Sequence, residues 1–156
     1  MRSAPGEEPV DPDVDLGVPA QRREFAPPHR AAVLAAIAVG GVAGAEARYG
    51  LGLAVPHGPG QWPWATLLIN VSGCLLIGVL MVVLLEVGHP HPLVRPLLGV
   101  GVLGGYTTFS TYATDALDLL RAGHLGAAVG YFLLTPVLAV AAVAVGMRAT
   151  RALGRR

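Results

Sequence analysis

The sequence has no lysine, one cysteine and little charge. Cys74, standing alone, cannot close an internal disulfide; it sits in an apolar run, where it serves packing. Charged residues make up 13% of the chain, about half the roughly 25% of a soluble domain, which points to a membrane protein. Eleven arginines against ten acids leave a formal net charge of +1 and no nucleic-acid signal. The acids are also unevenly spread. Six of the ten (Glu7, Glu8, Asp11, Asp13, Asp15, Glu24) fall in the first 29 residues, leaving Glu46, Glu86, Asp115 and Asp118 for the rest. No nucleophile–base pair appears, and His57, His89, His91 and His124 lie in loop-like stretches without metal-ligand spacing. An enzyme is not expected.

What is present is apolar length. Residues 1–29 are acidic and proline-rich without apolar periodicity, so a disordered cytosolic tail is expected there. No apolar core follows a basic start, which argues against a signal peptide. Four apolar segments follow, at about 31–53, 64–85, 97–120 and 125–147, each near the roughly 20 residues that a helix needs to cross a bilayer. Pro56, Gly58, Pro59, Gly60 and Pro63 mark the first loop, and Gly88, Pro90, Pro92 and Pro96 the second. The short link Ala122-Gly123-His124 makes a hairpin of the last two helices. The expected architecture is all-α and integral to the membrane: a four-helix domain over 30–148, then a basic tail over 149–156. Trp62 and Trp64 are expected in an interfacial belt, and Glu86 in solvent at a helix end. Four crossings put both termini on one side. That side carries Arg22, Arg23, Arg30, Arg95, Arg148, Arg151, Arg155 and Arg156, against Arg48 and Arg121 on the other, so both termini are expected in the cytoplasm, in a cell membrane.

The third segment is unusual. In its middle, Gly104-Gly105-Tyr106-Thr107-Thr108-Phe109-Ser110-Thr111-Tyr112 places four hydroxylated residues in five positions after a glycine pair. A lipid-facing helix has no use for this, and irregular backbone at membrane depth survives only where protein or water covers it. A third helix broken near its middle is therefore expected, at the place where an ion meets the protein. Four helices cannot cover such a break alone, and a twofold dimer is the economical cover. Gly40, Gly41, Gly44, Gly73, Gly78, Gly99 and Gly101 permit close helix approach, within a subunit or between two.

Three blocks carry a family likeness: Gly41-Val-Ala-Gly44-Ala-Glu-Ala-Arg48-Tyr49, Asn70-Val-Ser-Gly73, and Gly104 to Tyr112. In order and spacing they resemble the CrcB/Fluc fluoride channel family. The resemblance implies an antiparallel, dual-topology dimer with two narrow fluoride pores. It also implies a structural sodium ion at the dimer centre, held by the Gly104 and Thr107 backbone carbonyls. An ion pathway through Asn70, Thr108, Phe109, Ser110, Thr111, Tyr112, Tyr131 and Thr135 follows, with Arg48 and Asp115 at the vestibules. This chain departs from the family pattern at Tyr112 (usually a second Phe), at Asp115 (commonly Glu) and at Ala139 (often hydroxylated).

The residue types suit fluoride, which is small and accepts hydrogen bonds only. Asn70 offers amide N–H groups, Thr108, Ser110 and Thr111 offer hydroxyls, and the Phe109 ring has an electropositive edge. Tyr131 and Thr135, four apart, share a helix face. The expected function is a passive fluoride-selective channel that exports cytoplasmic fluoride. The rival is a proton-coupled small multidrug-type exporter, which needs an ionisable carboxylate deep in the bundle. The expected partners are fluoride, membrane lipid and a second subunit. Because a strong arginine bias disfavours insertion of one chain both ways, an oppositely oriented homologue is an alternative to a homodimer.

Overall fold

The computed structural model describes residues 27–58, 60–87 and 91–154. The tail expected over 1–29 lies outside them, apart from helical backbone at 27–29. Every regular element among the described residues is helical. Helix α1 is Pro27–Ala54 and α2 is Trp64–Val82, the latter prolonged by a π-helical turn at Val83–Val87. The third segment begins as a π-helix at Arg95–Leu103 and runs into the short α3 at Gly104–Tyr106. Helices α4 (Phe109–Arg121) and α5 (Leu125–Gly154) complete the chain.

Three of these helices are long and apolar enough to cross a membrane: Arg30–Ala54, Trp64–Glu86 and Leu125–Gly154. The third segment is divided at residues 107 and 108, so neither half reaches that length by itself. Packing fixes the directions. Gly40 lies against Leu97 and Gly101, and Gly44 against Val102 and Tyr106, so α1 and the third segment run parallel. Gly78 lies against Val143 while Glu86 meets Arg151, so α2 and α5 run parallel too. Asn70 meets Thr108 whereas Leu80 meets Gly99, which sets α2 antiparallel to the third segment. The four segments thus alternate in direction along the bundle. Glu86 and Arg151 meet at one end; Gly60, Ala122 and His124 gather at the other.

The parallel pairs touch backbone to backbone. A Cβ on Gly44 would collide with the Val102 carbonyl, and one on Gly146 with the Leu75 carbonyl. Small residues are the usual means of bringing membrane helices this close, because lipid supplies no hydrophobic drive between them. The side-chain core is correspondingly small: Leu67, Tyr112, Leu119, Ala128 and Tyr131. Large apolar side chains such as Leu34, Val42, Leu85, Leu133 and Val140 point outward instead. At the α4–α5 hairpin, Gly123 takes φ +83°, and the amides of Gly123 and His124 return to the carbonyls of Leu120 and Leu119, both at 3.0 Å. This is the glycine stop expected of a helix C-terminus.

The structure adds detail at three places. In the basic segment expected over 149–156, residues 149–154 continue α5 to Gly154, and the Arg151 side chain pairs with Glu86 there. Glu86 is ion-paired with Arg151 at 2.6 Å rather than merely solvated. Trp62 packs edge-on against Tyr131, with centroids 5.6 Å apart, whereas its neighbour Trp64 is exposed.

Candidate functional site

The third segment stops being helical at two residues. Thr107 adopts φ −74°, ψ 157° and Thr108 φ −148°, ψ 125°, both extended, before α4 starts at Phe109. Local sequence accounts for the restart. Thr108 is the N-cap of α4: its hydroxyl accepts from the Thr111 amide at 3.2 Å, satisfying one of the first-turn donors. Two consecutive β-branched threonines also favour extended backbone.

A second helix holds the break open. The Thr108 amide donates to Asn70 Oδ1 at 2.8 Å, and Asn70 Nδ2 donates to the Thr108 carbonyl at 2.9 Å. One side-chain amide therefore satisfies both backbone groups of one residue, as a neighbouring strand would. In an unbroken helix the Thr108 amide would serve the Gly104 carbonyl four residues back; here it is diverted. On the other side, Arg48 Nη1 donates to the Thr107 carbonyl at 3.3 Å. Below the break, Ser72 and Tyr106 share a hydroxyl contact at 3.0 Å, and Gly73 leaves room for the Thr107 methyl group.

Around the start of α4 the hydroxyls cluster. Thr108 Oγ1 lies 3.0 Å from Thr111 Oγ1 and 3.3 Å from Ser110 Oγ. Thr108 is buried, whereas Ser110 and Thr111 are exposed and Phe109 is 77% exposed, facing away from the subunit core. Tyr112 turns the other way. It is buried, stacks on Phe132 and donates its hydroxyl to the Phe132 carbonyl. The reason lies four residues further along α5. Pro136 has no N–H, so the Phe132 carbonyl lacks its helical partner, and the Tyr112 hydroxyl supplies the missing donor. The Tyr112 hydroxyl is thus committed to the protein.

Tyr131 and Thr135 both face inward from α5 and are buried. The Thr135 hydroxyl donates back to the Tyr131 carbonyl at 2.8 Å, and the Tyr131 hydroxyl reaches Asp115 at 3.5 Å. Asp115 also lies 3.7 Å from His57 Nε2. A groove of about 340 Å³ is lined by Arg48, Tyr49, His57, Thr66, Thr108 and Thr111 among others. A second cavity of about 230 Å³ is lined by His57, Gln61, Asp115 and Asp118 among others. The two expected vestibule residues therefore open onto different cavities, and His57 lines both.

Asn70, Thr108, Ser110 and Thr111 are thus brought together at the break, with Arg48 beside them. Tyr112 and Tyr131 pack ring against ring between α4 and α5, Thr135 bonds back to Tyr131, and the exposed Phe109 ring leans on Tyr112 with centroids 5.7 Å apart. Sequence reasoning missed Thr66, His57 and Pro136. Thr66 precedes Asn70 by one helical turn and Pro136 follows Phe132 by one, so both were readable from spacing. Nothing in the sequence marked His57.

The site offers N–H and O–H donors within apolar walls, the chemistry of a desolvated anion. Residues 35–147 match the family described as CrcB-like protein, Camphor Resistance (CrcB). The fluoride-specific ion channel FluC 2 of Thermobifida fusca is 53% identical over 115 residues, 72% of this chain and 85% of that protein. FluC 2 of Nocardia farcinica is 47% identical over 125 residues, covering 80% of this chain and 89% of the relative. FluC 1 of Streptomyces coelicolor is 49% identical over 114 residues, 73% and 74% of the two chains. With most of its length matched in this way, the chain belongs to the CrcB-like family.

Proposed function

We propose that this chain is the subunit of a passive, fluoride-selective channel that exports cytoplasmic fluoride across the cell membrane. The observation that carries the reading is the Asn70 clamp on Thr108, which maintains an unwound, donor-rich stretch between the membrane-crossing helices. The α4 N-terminus adds first-turn amides and the positive end of a helix dipole, both favourable to an anion. Fluoride enters through the groove beside Arg48, exchanges water for the hydroxyls of Thr108, Ser110 and Thr111, and passes the electropositive edge of Phe109. Tyr112 shapes the wall without donating to the anion, because its hydroxyl is given to the Phe132 carbonyl. The relatives' names are those of fluoride channels, which favours this reading over an enzyme or a proton-coupled exporter.

The subunit works as part of an antiparallel dimer, either with itself or with an oppositely oriented homologue. The outward-facing Phe109 and the backbone groups of the break need a second surface, which supports that arrangement. Both termini face the cytoplasm, as the excess of arginines in the segments flanking that side of the helices favours. A sodium ion at the dimer centre suits the Gly104 carbonyl, which has lost its amide donor to Asn70. It suits the Thr107 carbonyl in part, since one lone pair there already accepts from Arg48. When bound, the ion ties the two breaks together; the chain's own residues guide the anion.

The test is fluoride efflux from liposomes with valinomycin and no proton gradient, using the purified chain alone and mixed with a homologue. Efflux of fluoride and not chloride is expected. Inertness to both anions, alone and mixed, sinks the channel.

A further inference from the structure

Among the described residues, Arg48 is a charged residue held against the break. Its guanidinium sits on the Thr107 carbonyl through a single hydrogen bond of 3.3 Å, and it lines the groove that also holds Thr66, Thr108 and Thr111. A guanidinium carries five N–H donors, so most of its capacity is free to face that groove. Its depth is set by α1: Gly44 packs directly on Val102 and Tyr106, which puts position 48 level with the break rather than at the helix end. The expectation that this arginine belongs to the outer end of α1 is thereby corrected.

We propose that Arg48 and the central cation compete for the Thr107 carbonyl, and that cation binding releases the guanidinium into the groove, where it attracts the incoming anion. This rests on the central cation proposed above. Two positive charges on one carbonyl oxygen stand roughly 5 Å apart, and away from bulk water their repulsion outweighs the single hydrogen bond that holds Arg48 there. Without the cation, Arg48 steadies the break; with it, the arginine becomes mobile and the groove gains an anion-binding charge. Coupling of this kind is reciprocal. Fluoride in the groove draws Arg48 off Thr107, and so strengthens cation binding at the centre.

Thermal unfolding of the purified full-length chain, titrated with sodium in place of N-methylglucamine, tests this with chloride or fluoride as the anion. In the unaltered chain, fluoride is expected to lower the sodium concentration for half-maximal stabilisation several-fold. Arg48→Gln removes the competitor, so that midpoint is expected to fall about tenfold, the worth of one charge-assisted hydrogen bond, and to become insensitive to fluoride. Arg48→Lys keeps a charge and is expected to lie between the two, which guards against an unstable glutamine variant. An identical sodium midpoint in Arg48→Gln, or an equal fluoride effect in both chains, overturns the competition while leaving the cation in place. No sodium dependence in the unaltered chain removes the central cation and the competition together.

Discussion

Two helices in this molecule lose a backbone hydrogen bond, and they end up differently. In α5, Pro136 deprives the Phe132 carbonyl of its partner, yet the helix runs on because Tyr112 reaches across from α4 with a replacement donor. In the third segment the proline, Pro96, stands at the start of the helix and not at the break. The backbone is pulled out of the helix, because Asn70 offers both a donor and an acceptor to Thr108 and Thr108 then caps a new helix. A missing bond repaired by one hydroxyl leaves a helix intact. A two-sided amide partner, together with a strong N-cap, turns the same disturbance into an opening. The identity of the neighbouring side chain, more than the breaker, decides the outcome.

Removing the two-sided partner should have the largest effect. Asn70→Leu orphans the amide and carbonyl of Thr108, so a stability loss of about 3 kcal/mol or more and background-level fluoride efflux are expected. Thermal unfolding in detergent and liposome flux measure the two. Efflux at the unaltered rate would show that the clamp is dispensable and the comparison empty.

Next comes the one-sided repair. Tyr112→Phe strands the Phe132 carbonyl and should cost about 1–3 kcal/mol. Pro136→Ala returns an N–H to α5 and should rescue most of that loss in the double variant. Simple additivity in that cycle would refute the pairing of Tyr112 with Pro136. Thr108→Val keeps the branched shape and deletes the cap, for about 1 kcal/mol and reduced efflux. The smallest change is expected far from both sites: Glu86→Gln breaks an exposed ion pair and should cost less than about 1 kcal/mol with flux unchanged.

Much of this was legible beforehand. Apolar length and loop-forming Pro and Gly marked the crossing segments, because hydrocarbon thickness leaves few alternatives for a helix. The crowd of hydroxyls after Gly104-Gly105 pointed to the site, since polar groups are costly in lipid without a purpose. Asn70 was readable for the same reason, standing alone in an apolar run. Its actual partner, the backbone of Thr108, was not, because Thr108 lies 38 positions further along the chain. Tyr112 looked like a ring at the pore with a spare hydroxyl. Only the distance to Phe132 reveals that the hydroxyl is occupied, although Pro136 had advertised a vacant carbonyl. Phe109 and Tyr112 share spacing and chemistry, yet one faces outward and the other is buried, a difference set by how α4 leans on α5. His57 came from a loop, where no periodicity ranks one residue above another.

The Asn70 clamp also bears on how the chain is built. Synthesis proceeds from the N-terminus, so the segment bearing Asn70 leaves the ribosome well before Thr108 does. The backbone amide and carbonyl of Thr108, which could not endure bare among acyl chains, therefore meet their guardian already seated in the bilayer. A rearranged gene that delivered these two segments in reverse order would leave those groups naked during insertion, and quality control would meet the protein before any anion did.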